Sequence, residues 1–229
     1  MFMIRFLDIF FSSLALLLLS PIFFFVILIL KFTGEGEIWY FQPRVGMHQN
    51  KFNLIKFVTM IKNSENMGTG TVTLKNDSRI LPFGKFLRKT KINELPQLLN
   101  ILKGDMSIIG PRPQDERCFK AFPSSKWKVI CSVRPGLSGI GSIVFRNEEE
   151  MLADPDNSEK IYDHIIMPYK ANLEEWFTQN NNLLNYLKLI VLTLLVVLLP
   201  KGDKYINIFF RNLPTPNEEM SRLQEMHNI

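Results

Sequence analysis

The sequence predicts a helix-rich α/β fold, a small domain facing water and seated on a membrane by an apolar N-terminal helix, with amphipathic helices lying at the interface. Three features of the chain carry this expectation: an apolar run near the start, a mixed segment of short elements over residues 32–180, and a second, shorter apolar stretch over residues 183–199 within an interfacial region, residues 181–211. The composition agrees, because 46% of the 229 residues are hydrophobic while 21% are charged, so part of the chain meets lipid and part meets water. That length admits one sizeable domain together with a membrane segment.

Residues 9–30 form an apolar run of 22 residues, interrupted only by Ser12, Ser13, Ser20 and Pro21, with Arg5 before it and Lys31 after it. Such a run can cross a bilayer. It is too long for the core of a cleaved signal peptide, and no small-x-small cleavage pattern follows it. Pro21 removes one backbone donor and crowds the carbonyl of Leu17, while Ser20 can return its hydroxyl to a carbonyl about one turn earlier, so a bend is expected at Ser20-Pro21. On these residues alone, a spanning helix with a mild kink and a re-entrant hairpin that enters and leaves on one face both remain open.

Within residues 32–180, Phe52 to Met60 alternates like a strand and Ile92 to Leu102 carries apolar residues at helical spacing. Turns at Pro82-Phe83-Gly84, Gly110-Pro111-Arg112-Pro113 and Arg134-Pro135-Gly136 predict much irregular backbone. In the next region, Asn185 and Lys188 interrupt the apolar residues, and the charge-free part, Leu189 to Leu199, is too short to span. A helix in the interface or buried against the domain is expected there, with Lys188 and Lys201 reaching head groups. Residues 212–229, which include Pro214 and Pro216, read as a polar tail that frays.

A net charge of +5 directs attention to anionic partners, and the apolar ends favour phosphorylated small molecules and a bilayer face over nucleic acid. Cys118 and Cys131 read as two buried, reduced thiols. His48, His164 and His227 are too scattered to make a zinc set, and Trp127 and Trp176 read as core or interfacial anchors. Gly68-Thr69-Gly70-Thr71 lacks the lysine and the strand-loop-helix context of a phosphate-binding loop.

The densest chemistry lies between Lys85 and Arg117. There Arg88, Lys89 and Lys91 precede Glu94, and Lys103, Asp105 and Arg112 follow it, so a carboxylate stands among cations suited to a diphosphate. The prolines on either side of Arg112 would fix the backbone that presents it.

Six motifs in order carry a resemblance over roughly residues 40–140: Lys56-Phe57-Val58-Thr59-Met60, Leu87-Arg88-Lys89, Glu94-Leu95-Pro96-Gln97-Leu98, Asn100 to Ser107, Gly110-Pro111-Arg112-Pro113, and Arg134-Pro135-Gly136-Leu137-Ser138-Gly139. In these the chain resembles the bacterial sugar transferases called monotopic phosphoglycosyl transferases or polyprenyl glycosylphosphotransferases. The resemblance implies transfer of a sugar phosphate from a UDP-sugar to undecaprenyl phosphate, with release of UMP and initiation of a surface glycan such as exopolysaccharide or lipopolysaccharide. It implies Glu94 and the residue at Asn93 as catalytic positions. Lys56, Arg88, Lys89, Arg112, Arg134 and Arg146 become substrate-binding candidates, and magnesium or manganese is implied at Glu94 or Asp105. It implies membrane lipids as partners, allows a homo-oligomer, and puts the domain on the cytoplasmic face of the bacterial inner membrane. With both charged ends of the apolar run on that face, the re-entrant hairpin broken at Ser20-Pro21 becomes the expected topology.

The chain departs from the family where it matters most. An aspartate, assigned there as nucleophile, normally precedes the glutamate, and here that position is Asn93, whose neutral amide does not attack phosphorus. Glu94 takes over the attack, the transfer is direct, or the chain serves as a catalytically impaired scaffold. Val58 replaces an arginine common in relatives, Ile140 to Asn147 replaces the usual continuation, and Asp154-Pro155-Asp156 offers carboxylates for the nucleotide or for ending a helix.

Overall fold

The computed structural model describes residues 2–67, 77–146, 148–152, 158–199 and 202–226. Gly68 to Thr71, Asn147, Asp154 to Asp156, Lys201 and His227 lie outside the described residues. Helix α1, Phe2–Phe32, is continuous through Pro21. The Ser20 hydroxyl donates to the Leu17 carbonyl at 2.8 Å, satisfying the acceptor that Pro21 leaves without its usual backbone donor. Ile4, Asp8, Ser12, Ala15, Leu19, Phe23, Val26 and Leu30 recur at steps of three and four and face the domain. The opposite face exposes Phe6, Phe10, Leu17, Leu18, Phe24 and Phe25. Both ends of α1 therefore touch the same domain.

Two polar side chains fix its first turns. Arg5 donates to the carbonyls of Ile101 and Leu102 at 2.7 and 2.9 Å. Asp8 is buried and accepts hydrogen bonds from the Ser107 hydroxyl, the Ile108 backbone N–H and the Tyr186 hydroxyl, all within 2.8–2.9 Å.

Strands β1, Trp39–Val45, and β2, Lys51–Phe57, pair as an antiparallel hairpin that sets Tyr40 opposite Lys56, Gln42 opposite Leu54 and Arg44 opposite Phe52. The expected strand thus ends at Phe57, after which the Leu81 N–H bonds to the Thr59 carbonyl and Met60 bridges to Ile80. Helix α2, Pro82–Lys89, leads through Lys91, at φ 59°, into a 3-10 turn at Ile92–Glu94. Helix α3 begins only at Gln97–Lys103. The single helix expected over Ile92 to Leu102 is split at Pro96, which has no N–H to continue the ladder. Buried Asn100 ties α3 to β2, accepting from the Ile55 N–H at 2.9 Å and donating to the Asn53 carbonyl at 2.8 Å.

Strand β3, Ser107–Ile109, and β4, Gly136–Ser138, pair in parallel, with helices α4, Glu116–Lys120, and α5, Ser124–Ile130, between them. A Cβ on Gly136 would lie 2.1 Å from the Gly110 nitrogen, and one on Gly139 2.1 Å from the Gly110 oxygen. The two glycine-bearing motifs are therefore the two sides of one backbone crossing, which fixes the loop that carries Arg112.

Helices α6, Ile140–Val144, α7, Glu148–Met151, and α8, Ser158–Ile161, precede a π turn at Tyr162–Ile166 and helix α9, Met167–Gln179. Helix α10, Leu183–Leu198, rises about 24 Å, short of the ~30 Å hydrocarbon thickness. It buries Tyr186, Leu189, Leu192 and Val196 in the main core with α6 and α9, and exposes Leu184, Leu194 and Val197. The helix is thus both packed on the domain and apolar outside. Phe210 belongs to the same core, with Ile206 and Phe209 packed against it.

Two expectations need correction. The Lys188 ammonium does not turn outward, because it sits 5.6 Å from the Phe210 ring centroid. The tail is not frayed through residue 226: after α11, Ile206–Phe209, helix α12, Glu218–Met226, buries Met220 and Leu223, and the Tyr169 hydroxyl donates to the Pro214 carbonyl. Cys118 and Cys131 are free and buried, and Trp127 packs beside them as the composition led us to expect.

Candidate active site

Four elements bring the cationic cluster together. β2 contributes Lys56, the last turn of α2 contributes Arg88, the 3-10 turn contributes Asn93 and Glu94, and the loop after β3 contributes Arg112. The Arg112 guanidinium stands 3.7 Å from the Glu94 carboxylate, whose side chain is 17% exposed. Burial pushes the Glu94 carboxyl up, but Arg112, Lys56, Lys91 and Arg88 together outweigh it and hold the group below the ordinary carboxylate range. The Glu94 charge in turn holds Arg112 above its usual value.

Lys56 is pushed the other way. Burial lowers its ammonium to about 7, Glu94 opposes the shift, and Arg44, Arg112 and Arg88 add to it. The arrangement is one ionised carboxylate inside an excess of positive charge, which suits a ligand carrying two phosphates. Asn93, by contrast, is buried, and its amide oxygen has no hydrogen-bond donor among the described residues.

The Arg112 backbone is held from behind. Its N–H donates to Glu174 Oε1 at 3.1 Å, and Glu174, fully buried on α9, is pushed up to about 7 by burial against the pull of that N–H, Lys170 and Arg112. Arg44 on β1 pairs with Asp115 at 3.3 Å, and Asp115 also caps α4 by accepting from the Cys118 N–H at 2.8 Å.

Other expected site residues lie elsewhere. Lys89 is exposed at the end of α2. Asp105 sits beyond the far end of α3, about 10 Å of helix away from the turn that bears Glu94, and faces Lys103 at 3.5 Å and the Asn100 amide at 3.3 Å. It does not share a site with Glu94. Arg134 donates its Nε to the Gly104 carbonyl at 2.9 Å, at the end of α3. Arg146 donates to the Val196 carbonyl near the end of α10. Sequence reasoning missed Arg44 and Glu174. Arg44 was recoverable, since a hairpin turning at residues 46–50 puts it on the Lys56 face of the sheet, whereas nothing near Glu174 in sequence points to residue 112.

A family profile described as "Bacterial sugar transferase" matches residues 1–200. The chain belongs to that family. Among its relatives, the exopolysaccharide production protein ExoY of Rhizobium meliloti (strain 1021) is 36% identical over 155 residues, 62% of this chain and 68% of that protein. The UDP-N-acetylgalactosamine-undecaprenyl-phosphate N-acetylgalactosaminephosphotransferase of Aeromonas hydrophila is 35% identical over 179 residues, 76% of this chain and 40% of that protein. The UDP-glucose:undecaprenyl-phosphate glucose-1-phosphate transferase of Klebsiella pneumoniae is 36% identical over 140 residues, 59% of this chain and 30% of that enzyme. The match with the last two thus spans less than half of their length, and the sugars they are named for differ. The cluster around Glu94 is the candidate active site of this sugar transferase.

Among the described residues no three His, Cys, Asp or Glu side chains gather into a metal set. Magnesium needs less than that, since it keeps several waters and takes one or two protein carboxylates with the substrate's phosphates. Glu94 fits such a role, with the unfilled oxygen of Asn93 beside it in sequence. Asp105 does not.

Proposed function

We propose that this chain transfers a sugar phosphate from a UDP-sugar to undecaprenyl phosphate at the cytoplasmic face of a bacterial inner membrane, releasing UMP and starting a surface glycan. The observation that carries the reading is the ionised Glu94 held among Arg112, Lys56 and Arg88. An oxygen of Glu94 attacks the sugar-bearing phosphorus, the bond to the bridging oxygen breaks, and UMP leaves with that oxygen. Arg112 and Lys56 take the charge that develops on the phosphates. A phosphate oxygen of the polyprenyl carrier then attacks the same phosphorus and frees Glu94. Glu94, together with the donor's phosphates, would hold magnesium or manganese, which would supply charge neutralisation.

The contacts of both ends of α1 with one domain support a one-sided, re-entrant seat. A helix crossing the bilayer would separate its ends by the hydrocarbon thickness, leaving the domain to reach across it. The low basicity of Glu94 favours a second reading, direct attack by the lipid phosphate with Glu94 positioning the donor. Purified full chain supplied with undecaprenyl phosphate and radiolabelled UDP-sugars tests the proposal. Label should enter the lipid with equal release of UMP for at least one donor, and its absence with every donor overturns the reading.

Lys56 adds a pH signature. Its ammonium is charged below about 7 and neutral above, so affinity for UMP should fall as pH rises through that value, and bound phosphate should draw a proton back onto it. Calorimetry in buffers of different ionisation enthalpy should register proton uptake between about pH 7 and 9, absent in Lys56→Met. Equal uptake in that variant would remove Lys56 from the phosphate site.

A further inference from the structure

A cavity of about 200 Å³ opens between β1 and the start of α4, lined by Tyr40, Gln42, Arg44, Lys51, Asp115 and Glu116, with Pro43 and Val45 at its walls. Tyr40, Gln42 and Arg44 are alternate residues of β1 and share one face of the strand. The hairpin register sets Lys56 opposite Tyr40 on that same face. Part of the lining therefore shares a face with Lys56, while Pro43, Val45 and Lys51 belong to the other face, so the cavity wraps around the strand. It is smaller than the ~300–1,000 Å³ of pockets that enclose a whole drug-sized ligand, so it suits one part of a larger substrate.

The lining selects a neutral, polar part. Arg44 is paired with Asp115 at 3.3 Å and Lys51 with Glu116 at 2.5 Å, so these cations already have acidic partners. Among the described residues, two polar atoms of this lining, both shielded from solvent, have no partner: the amide oxygen of Gln42, an acceptor, and Nε of Arg44, a donor. A half-turn of the Gln42 amide exchanges its oxygen and nitrogen, so the side chain can offer either to the cavity. A pyrimidine-dione ring matches this set, because it presents one N–H between two carbonyl oxygens.

The position argues for the base over the sugar. The charges that bear on Glu94 are Arg112, Lys56, Lys91 and Arg88, whereas Arg44 bears on Lys56 and Arg112. Along β1, Arg44 lies four residues, about 13 Å, from the level of Lys56, so the cavity extends away from the cations that flank Glu94. In a displacement at the sugar-bearing phosphorus, the sugar is one bond from the attacked atom and the nucleoside a further phosphate away. We propose that the cavity bounded by Tyr40, Gln42 and Arg44 holds the uracil ring of the nucleotide donor, with Gln42 reading the ring's N–H and an adjoining carbonyl. This assignment rests on the UDP-sugar reading above.

Full-length chain in nanodiscs is titrated with uridine and with UMP, and the donor KM and kcat are measured for the native chain, Gln42→Ala and Gln42→Glu. Loss of one polar contact should weaken uridine and raise the donor KM by about 10-fold in Gln42→Ala, with kcat within about twofold. Gln42→Glu should also weaken uridine, because a carboxylate still accepts from the ring N–H but repels the adjoining carbonyl. Unchanged uridine affinity and KM in Gln42→Ala overturns the assignment, as does a raised KM with unchanged uridine affinity, which puts the sugar in the cavity. Photocrosslinking of 4-thiouridine monophosphate to the native chain keeps the test independent of variant folding. Adducts should map to residues 40–51 or 115–116, and adducts only elsewhere overturn it. Uridine binding that depends on Gln42 without any transfer sinks the reaction alone, while transfer with a KM indifferent to Gln42 sinks the cavity alone.

Discussion

Replacing Glu94 by glutamine is expected to lower sugar-phosphate transfer by about 10³-fold or more while leaving the donor KM equal or lower. The amide matches the carboxylate in size, so packing around the 3-10 turn is kept. The change removes the nucleophilic charge and the counter-charge of Arg112, which stands 3.7 Å away. Without Glu94 the cluster is more positive, and the diphosphate should bind at least as well, which separates a loss of chemistry from a loss of binding. Incubation of the native chain with donor and no lipid acceptor should leave a phosphosugar adduct on the peptide that contains Glu94, detectable by mass spectrometry and absent in Glu94→Gln. Retained transfer in the variant would remove Glu94 from the reaction. Transfer lost in the variant, with no adduct ever formed by the native chain, would favour direct attack by the lipid phosphate.

The route by which Glu94 is reached from the sequence explains what was legible and what was not. The ordered motifs identified Lys56, Arg88 and Arg112, and the structure sets all three around Glu94. Charge type and order do not report direction, however. Arg88 and Lys89 are neighbours on α2, about 100° apart around the helix, and that rotation leaves Arg88 partly buried and Lys89 in solvent. Arg134 and Arg146 have the same chemistry as Arg112 but meet backbone carbonyls at helix ends. Asp105 follows Gly104, which sits at φ 99° and ends α3, so a helix stop was readable there. Pro96 likewise announced the split between the 3-10 turn and α3. Glu174 was beyond local reading, because what it holds lies 62 residues away.

Asp8 belongs with Glu174 in this respect, and its replacement is expected to be the most damaging to stability. It lies in α1 just before the apolar run, and the donors that converge on it are 99, 100 and 178 residues away. Asp8→Ala leaves the Ser107 and Tyr186 hydroxyls and the Ile108 N–H without their acceptor in a buried place. Unsatisfied buried donors cost about 1–3 kcal/mol each, and partial relaxation brings the expected loss to about 3–5 kcal/mol, or about 10 °C in Tm for a chain of this size. Asp8→Asn keeps one oxygen acceptor and should lose about 1 kcal/mol, as should Tyr186→Phe. Combining Asp8→Ala with Tyr186→Phe should cost less than the sum, because both remove the same bond. Thermal unfolding in detergent measures all four, and an Asp8→Ala chain that melts with the native one would show that these bonds do not hold the helix. The same contacts reach the active site, since Ser107 and Ile108 form the strand that runs directly into Gly110 and Arg112. Loosening α1 from that strand should displace Arg112 from Glu94, so transfer should fall in Asp8→Ala at temperatures where the chain is still folded. The seat of α1 and the geometry around Glu94 are thereby one structural problem.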